Sequence, residues 1–560
     1  MKFNVGCPRL LQLWRGALHV GFALLCLRYL HAVGAENGSL VGPLGLLLVA
    51  AAGLGAWRPR TTLFAFAVAM PLLNGLPILG VTGGSPSFVF AALWLGWMAQ
   101  QLFSSAAKDP KEQAGPPAHP AALLATDLLI TALLLSLGAQ LWRHHHDAHF
   151  WTILLRHTAA GFGDPYYFLH SAFIWLQGLF WFRALLLIWQ SGPWDARGKK
   201  PSRALDRSTT GNDQLRYAPT KNDGQRSRSA LIAIKIRPVF LSTAGLTAIF
   251  TLSGYKSILK DNYYDLGFLS AFEDIFSFGG FASAVLIFAV AVLAKKNCGN
   301  LSGQILYIAG VAGLVVFSWS RGIWLAAGVF LLIVAWFRLP RWCTMVVLAM
   351  TAVAVGVINL QAKKPAWQNH AYLARLVSLV RIEKLADKSS GRLDLYHKAF
   401  GMIRERPLLG HGIGSFYISS PRYAKAVDQA TLKRLQEFYG SSYNAPNFAH
   451  NVFLQIAAEQ GVLVAALFAG LIGWTLWRGV RAWQATGGRQ AVIIPGDRNS
   501  EERLTLLGTT LALGVYVQTN LTSNSLNIYA SNQFFFWFLM AAVLSMTQGD
   551  REKRKLSVES

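Results

Sequence analysis

Long apolar segments, separated by short polar ones, run along most of the chain. About 14 of them approach the roughly 20 residues that a helix needs to cross a bilayer. We predict membrane-spanning helices at 14–33, 39–57, 62–82, 85–104, 121–141, 166–190, 238–254, 275–294, 301–319, 322–337, 342–360, 450–477, 504–519 and 529–547. The pattern therefore predicts an all-α polytopic membrane protein with about 12–14 transmembrane helices.

The composition supports this class. The 560 residues are 53% hydrophobic and only 14% charged, whereas soluble domains carry about 25% charged residues. A net charge of +25 would suggest a nucleic-acid partner in a soluble protein. Here the positive-inside rule explains it, because lysine and arginine gather in the predicted cytoplasmic loops. We expect no nucleic-acid partner, and the four cysteines show no metal-site or disulfide pattern.

The positive charges also predict the orientation. With the N-terminus in the cytoplasm, the stretch 194–237 carries eleven Lys and Arg against four Asp on the inner side, and the short outer loops carry few. Both termini are then cytoplasmic. The first helix is predicted to remain uncleaved, because no small-residue cleavage site precedes a polar segment there.

This topology divides the chain into regions of different character. They are N-terminal transmembrane helices (1–190), a basic cytoplasmic linker (191–236), central transmembrane helices (237–360), a large external loop (361–449), C-terminal transmembrane helices (450–547) and a cytoplasmic tail (548–560). Amphipathic windows such as "RLDLYHKAFGMIRER" predict short helices in the external loop. That loop carries fourteen Lys and Arg against six acidic residues, which suggests an anionic ligand or attraction to anionic headgroups.

The stretch "NAPNFAHNVFLQIAAEQGVLVA" places His450 and Asn451 at the start of a predicted span. Unpaired backbone N–H groups and the positive dipole end at such a site bind anions and favour a neutral imidazole. Gly461 lies about three turns further on the same helical face, so it would permit close approach. Glu459 lies on the opposite face and would pair with an arginine or a tryptophan N–H. The alternative is that His450 and Asn451 simply cap the helix.

Positive side chains accompany this histidine on the same predicted side. Arg321 lies between two apolar runs, where an arginine marks a site or else extends its charge to the interface. The loop stretch 389–416 adds cations that can bind phosphate oxygens, and a glycine-rich "GHGIGSF" that could bind an oxyanion or form a plain turn. These loop candidates are Arg392, Lys398, Arg404, Arg406 and His411.

Other polar clusters indicate chemistry less strongly. His145 and His149 have metal-ligand spacing, and four acidic residues of 260–276, Asp261, Asp265, Glu273 and Asp274, could bind a metal or a sugar hydroxyl. Nucleotide-binding signatures such as a P-loop are absent from the sequence. We expect neither a metal site nor a cofactor for the activity.

Three segments resemble one family. "AHNVFLQIAAEQG" resembles the H-x10-G motif of the O-antigen ligase and polymerase superfamily, and "SRGIWL" resembles its R-x-x-x-L motif. "GRLDLYHKAFGMIRERPLLGHGIGSF" resembles the part of its periplasmic loop that precedes the histidine. The resemblance covers about residues 300–480, the C-terminal half of the chain.

The resemblance implies a GT-C-like fold and a metal-independent, inverting glycosyltransferase of the bacterial inner membrane. The donor would be a glycan on undecaprenyl pyrophosphate, and the site would face the periplasm among membrane lipids. His450 and Arg321 would be catalytic, with Arg392 completing the clamp on the leaving pyrophosphate. Lys398, Arg404, Arg406, His411 and Asn451 would bind pyrophosphate or substrate.

The acceptor stays open at this stage. It could be lipid A-core in a ligase, a lipid-linked repeat in an O-antigen or exopolysaccharide polymerase, or a protein hydroxyl in an O-oligosaccharyltransferase. A lipid or solute transporter is the alternative from another class. A transporter predicts inverted repeats and polar residues near mid-helix, whereas the charges here are expected mainly at span ends.

Overall fold

The structure, a computed structural model, describes most of the predicted helices. The described residues are 8–36, 41–75, 85–105, 119–157, 164–190, 236–237, 239–240, 275–293, 301–318, 320–338, 341–362, 364, 377, 392–423, 448–485, 498–523, 526 and 530–547. Within them the secondary structure is helical, without a strand, which confirms the all-α class. The linker 191–236 and the predicted span 238–254 lie almost wholly outside the described residues.

The helices follow one another in the order that the apolar pattern predicts. They are α1 (Pro8–Glu36), α2 (Val41–Trp57), α3 (Pro59–Gly75), α4 (Ser85–Ser105), α5 (Pro120–His144), α6 (Ala148–Arg156), α7 (Tyr167–Gln190), α8 (Ile275–Leu293), α9 (Leu301–Phe317), α10 (Arg321–Arg338), α11 (Arg341–Gln361), α12 (Arg392–Glu405), α13 (Phe416–Ser419), α14 (Val452–Gln460), α15 (Val462–Ala485), α16 (Arg498–Asn520) and α17 (Ala530–Met546). A 3₁₀ turn, Ser420–Tyr423, follows α13.

Several of these helices are suited to a bilayer. Among the described residues, six helices are long and apolar enough to cross a membrane by length and composition: α1, α5, α7, α10, α11 and α15. Shorter apolar stretches lie in α2, α3, α8, α9 and α17. The protein is thus a polytopic membrane protein. Helix α12 also confirms the amphipathic helix predicted in the external loop.

Burial separates central helices from peripheral ones. Every residue of α17 is buried, and α17 packs against α7, α15, α16 and α3. A helix that is apolar on all sides suits such a central position. Helix α11 is the opposite case, because Thr344 is its one buried residue. Its remaining apolar surface is suited to contact with lipid.

The predicted span 450–477 is wrong as a single helix. Helix α14 ends at Gln460 and α15 begins at Val462, because Gly461 adopts a φ of +89° that interrupts the helix. A Cβ at this position would lie 1.9 Å from the carbonyl oxygen of Leu408, so only glycine fits. The close approach of another segment that was predicted at Gly461 is therefore confirmed. The prediction that Gly461 and His450 share one helical face is wrong, because it required a continuous helix.

A charged cluster lies inside the N-terminal bundle, where the sequence analysis expected charges mainly at span ends. Asp127 of α5 is fully buried between two arginines. Arg15 of α1 donates from Nε to its Oδ2 at 2.8 Å, and Arg183 of α7 contacts its Oδ1. The cluster joins three helices whose sequence positions are far apart, a pairing that helix periodicity does not reveal.

The external segments gather at one end of the bundle, which we call the His450 end. Gln140 near the end of α5 donates to the carbonyl oxygen of His411 at 3.3 Å, and Phe448 contacts Tyr167 at the start of α7, with ring centroids 6.2 Å apart. Helices α5, α7, α12 and α14 therefore meet there. The chain topology brings the C-terminus of α16 and the N-terminus of α10 to the same end.

Candidate active site

His450 lies immediately before α14 in an unusual backbone conformation. Its φ of +49° is the only positive value for a non-glycine residue in the described part of the chain. Such conformations are costly and cluster at functional sites. Burial, and then the positive charge of Arg392, lower the pKa of His450 to about 4. The imidazole is therefore neutral at physiological pH.

Arg392 approaches the histidine from another helix, since its positive charge acts on the imidazole. Arg392 begins α12, and Tyr396, one turn later on the same face, donates from its hydroxyl to the Leu521 carbonyl oxygen at 3.4 Å. Arg321 begins α10. Its neighbour Gly322 lies so close to Thr522 that a Cβ there would be 3.2 Å from Oγ1.

Tyr396, one turn after Arg392, and Gly322, next to Arg321, thus lie close to one polar turn, residues 520–523, which joins α16 to the segment before α17. This turn 520–523 was missed in the sequence analysis. A signal was present, because the polar run "QTNLTSNS" follows an apolar helix on the predicted outer side. The contact between the turn and Tyr396 depends on folding and has no signature in the sequence.

Asn451 has a local role in the structure. Its Oδ1 accepts hydrogen bonds from the backbone N–H groups of Phe453 at 3.0 Å and Leu454 at 3.1 Å, as an N-cap residue does. Two of the backbone N–H groups that were predicted to bind an anion therefore donate to this side chain instead. The geometry favours the capping alternative for Asn451, and substrate contact by its amide nitrogen stays a prediction.

Lys398 is paired within its own helix. It is buried, and its Nζ lies 3.0 Å from Oδ2 of Asp394, four residues earlier. The pair neutralises the ammonium group where α12 packs on α14. A role of Lys398 in binding pyrophosphate remains a prediction, and it would require this ion pair to open.

The remaining loop candidates lie at the other end of α12. Arg404 and Arg406 are exposed, and twelve residues of helix place Arg404 about 18 Å from Arg392 along the axis. His411 is buried, with Nε2 3.1 Å from the Met402 carbonyl oxygen, and burial lowers its pKa. The structure therefore brings Arg392 close to His450 and leaves these three residues in another region, while a place for Arg321 beside His450 stays a prediction.

The glycine-rich "GHGIGSF" segment wraps around the end of α14. Its three glycines all have positive φ, and the N–H of Gly412 donates to the Glu459 carbonyl oxygen at 2.8 Å. The Gly414 and Phe416 N–H groups donate to the Glu459 carboxylate at 2.9 and 3.1 Å. The segment does hold an oxyanion, as its sequence suggested, and that oxyanion is the protein's own Glu459.

Glu459 also connects this segment to the residue before His450. Gln455 donates from Nε2 to Glu459 Oε1 at 2.9 Å and accepts at Oε1 from the Ala449 N–H at 3.3 Å. The expected arginine or tryptophan partner of Glu459 is therefore wrong. Burial raises the pKa of Glu459 to about 7, and the three hydrogen bonds oppose this shift.

The histidine cluster, the one weaker candidate that the structure describes, does not form a metal site with other side chains of the described residues. No three His, Cys, Asp or Glu side chains with metal-binding geometry gather among the described residues. The Asp147 side chain, next to the histidine cluster, caps α6 by accepting from the His149 N–H at 2.9 Å. The acidic candidates Asp261, Asp265 and Glu273 lie outside the described residues, as does Asp274.

Residues 305–469, from α9 into α15, match the family model described as O-antigen ligase. The match supports the family that the motifs of this segment resemble. It contains Arg321, Arg392 and His450, so the family match and the site geometry fall on the same part of the chain. No curated protein matches the sequence. The O-antigen ligase domain indicates a membrane glycosyltransferase that uses lipid-linked glycans, and the helices α1–α7 lie outside the match.

Proposed function

We propose that the protein is an inverting glycosyltransferase of the ligase type at the periplasmic face of the bacterial inner membrane. It transfers a glycan from undecaprenyl pyrophosphate to an acceptor hydroxyl, with lipid A-core as the acceptor class. The observation that carries this proposal is the proximity of Arg392 to His450, with Tyr396 of the same helix and Gly322, next to Arg321, both close to the turn 520–523. The periplasmic orientation rests on the charge distribution of the loops.

The arginines would stabilise the leaving group. When the glycosidic bond breaks, negative charge develops on the pyrophosphate, and fixed cations there lower the transition-state energy. Arg392 and Arg321 come from different helices, so they can hold two sides of one pyrophosphate. Arginine suits this role because its planar guanidinium group can donate hydrogen bonds to two phosphate oxygens at once. The proposal assigns charge neutralisation to these side chains and requires no metal.

His450 would accept the proton of the attacking hydroxyl. In the substrate-free protein its imidazole is neutral, since burial and Arg392 hold its pKa at about 4. A bound pyrophosphate beside Arg392 would offset that positive charge and make the imidazole more basic. The histidine would then become an effective general base only when the donor is in place.

Arg404 and Arg406 would act away from the reacting bond. Their positions, about 18 Å along α12 from Arg392, are suited to the extended glycan or to a second anionic group of the substrate. The loop segments packed on α14 would limit the access of water, which competes with the acceptor.

The test is glycan transfer in a deletion strain complemented with variants of the full chain. His450→Ala, Arg392→Ala and Arg321→Ala should each lower transfer at least about hundredfold, the range of a lost base or oxyanion donor. Arg422→Ala is the matched control, because Arg422 is an exposed arginine of the same external region with no place in the proposed site. Immunoblots of membranes would verify equal protein levels.

The outcome also distinguishes the acceptor. Accumulation of polymerised glycan on the lipid carrier supports a ligase, whereas accumulation of single repeats supports a polymerase, and loss of modified protein supports a protein O-oligosaccharyltransferase. Normal transfer by all three site variants would reject the proposal.

A further inference from the structure

Two neighbouring leucines of the external loop are exposed where the loop packs against the span α15. Leu408 is 59% exposed and Leu409 is 85% exposed. The backbone beside them is held in place, because the Val462 N–H donates to the Pro407 carbonyl oxygen at 2.8 Å. Large apolar side chains that a fixed backbone holds in an exposed position mark a contact surface when they belong to a larger apolar patch.

The neighbouring surface is the exposed face of α15. This helix is long and apolar enough to cross a membrane, and its exposed residues recur at helical spacing, as a face in contact with lipid would show. They include Leu463, Ala466, Gly470, Gly473, Trp477 and Val480. Leu463, at one end of this face, is 65% exposed. The backbone of Leu408 lies against Gly461, two residues before Leu463, so the loop leucines adjoin the end of this face.

Hydrogen bonds to α5 show how far the loop extends along the bundle. Gln140 Nε2 donates to the His411 carbonyl oxygen at 3.3 Å, and the Ile413 N–H donates to Ser136 Oγ at 3.1 Å. Ser136 precedes Trp142 by six residues, which correspond to about 9 Å along the helix. Trp142 is 76% exposed, and an exposed tryptophan near the end of a span is typical of the membrane–water boundary. The loop therefore passes this boundary and reaches the depth of the acyl chains.

A non-helical segment at this depth must satisfy its backbone polar groups within the protein. The His411 N–H donates to the Ala458 carbonyl oxygen at 3.0 Å, and the Gly412 N–H donates to the Glu459 carbonyl oxygen at 2.8 Å. The Gly414 N–H donates to the Glu459 carboxylate at 2.9 Å. The segment thus meets the condition for lying inside a membrane.

The basic side chains that precede the leucines are compatible with the same location. Arg404 and Arg406 are exposed. Long basic side chains near a membrane boundary extend their charged ends to the headgroup level while their stems lie along apolar surface. Basic residues next to exposed apolar ones are typical of segments that insert into an anionic membrane surface.

We propose that residues 407–414 re-enter the membrane leaflet at the His450 end, where Leu408 and Leu409 contact phospholipid acyl chains beside Leu463. Because α12 ends directly before this segment, the contact also fixes the height of α12 relative to the membrane. This lipid contact goes beyond the proposed transfer reaction and does not depend on it, because it can be measured without donor or acceptor glycan.

The first test measures the depth of Leu409 by spin labelling. The full chain, with its four cysteines replaced by alanine, would carry a nitroxide at Leu409→Cys in nanodiscs of phosphatidylethanolamine and phosphatidylglycerol. We expect collisions with oxygen, which partitions into hydrocarbon, to exceed collisions with a water-soluble nickel chelate. The resulting depth should be about 5–10 Å. A label at Leu463→Cys provides the reference for a position in lipid.

The matched control is Arg422→Cys, an exposed position of the same loop that follows the re-entrant segment. Its label should collide mainly with the nickel chelate. A label at position 409 that behaves like the label at position 422 would overturn the proposal. A label at position 409 that neither reagent reaches would also overturn it, because the leucine would then be covered by protein.

The second test places charge at the two leucines. In nanodiscs, Leu408→Asp combined with Leu409→Asp should increase the rate of tryptic cleavage after Arg404 several-fold, because carboxylates are costly at acyl-chain depth. Leu408→Ile combined with Leu409→Ile is the apolar control and should be cleaved as slowly as the wild type. The melting temperatures of both variants in detergent should match the wild type, since the replaced side chains are exposed. Wild-type resistance of the Asp variant to trypsin would overturn the proposal.

Discussion

Two fully buried carboxylates are held in contrasting ways. Asp127, in the N-terminal bundle, is held by Arg15 and Arg183 from two other helices. Glu459, at the His450 end, is held by the backbone N–H groups of Gly414 and Phe416 and by a glutamine. One carboxylate neutralises cations inside the bundle, and the other fixes the course of a loop.

Under the proposed function, this contrast matters for substrate binding. A carboxylate paired with an arginine would compete with pyrophosphate for that arginine. Backbone N–H groups instead carry no net charge, so they satisfy the carboxylate without drawing in Arg392 or Arg321. The same carboxylate, through Gln455, positions the backbone next to His450. The Asp127 cluster, by comparison, holds three helices of the N-terminal bundle together.

The largest effect is expected at Asp127. Asp127→Ala leaves two arginines buried without their counter-charge, which costs about 3–5 kcal/mol. We expect the protein level in the membrane to fall sharply, as measured by immunoblot and by thermal unfolding in detergent. A variant in which Asp127, Arg15 and Arg183 are all replaced by leucine or methionine should recover much of the level, since apolar replacement of a buried ion cluster is tolerated. Normal levels of Asp127→Ala would show that the cluster does not support the fold.

Glu459→Ala should mainly affect transfer. It removes the acceptor of three hydrogen bonds and releases the loop from α14. We expect transfer to fall about hundredfold while most of the protein remains in the membrane, because α15 is held by its own packing. Limited proteolysis should detect new cleavage within residues 407–416. If Glu459→Ala instead disappears from the membrane as Asp127→Ala does, the proposed difference between the two carboxylates fails.

A smaller effect is expected at Gln455. Gln455→Leu keeps the Glu459 contacts with the loop but breaks the connection to Ala449, so His450 is less well positioned. We expect about a tenfold decrease in kcat with little change in KM, because misplacement of a catalytic group affects the chemical step. Gln455→Glu retains an acceptor for the Ala449 N–H but places a second carboxyl against Glu459, so it should recover part of the rate only at mildly acid pH, where the two carboxyls can share a proton. A change in KM alone would contradict a positioning role.

The smallest effect is expected on the pH dependence of kcat/KM. The pKa of His450 is lowered to about 4, so the base form is present above that pH and is lost below it. The acid limb of kcat/KM should therefore lie near pH 4. Arg392→Gln removes one of the two causes of the lowered His450 pKa, the other being burial. It should therefore move the acid limb of kcat/KM to higher pH and also lower the rate. The pH dependence of His450 modification by diethyl pyrocarbonate, followed by peptide mass spectrometry, measures the same pKa without substrate. The same modification profile in the wild type and in Arg392→Gln would exclude an influence of Arg392 on this pKa.

The apolar pattern predicted most of the helices correctly, because the length of a span and its lack of charge are local properties of the chain. The helix α12 and the boundary between α9 and α10 at Arg321 are examples. The same reasoning failed at Gly461, since the interruption there depends on the carbonyl oxygen of Leu408, which lies more than fifty residues away in the sequence. It also failed for Asp127, whose partners lie on other helices.

The sequence by itself determined the class of protein and the family that residues 305–469 match, because motif letters and apolar length can be recognised locally. It also led us to propose His450, Arg392 and Arg321 as site residues. Only the tertiary structure decided how the charged side chains are placed. It separated Arg392 from Arg404, paired Lys398 with Asp394, and placed the Glu459 carboxylate in the glycine-rich loop. These outcomes depend on hydrogen bonds and charges between distant segments, which form only when the helices pack.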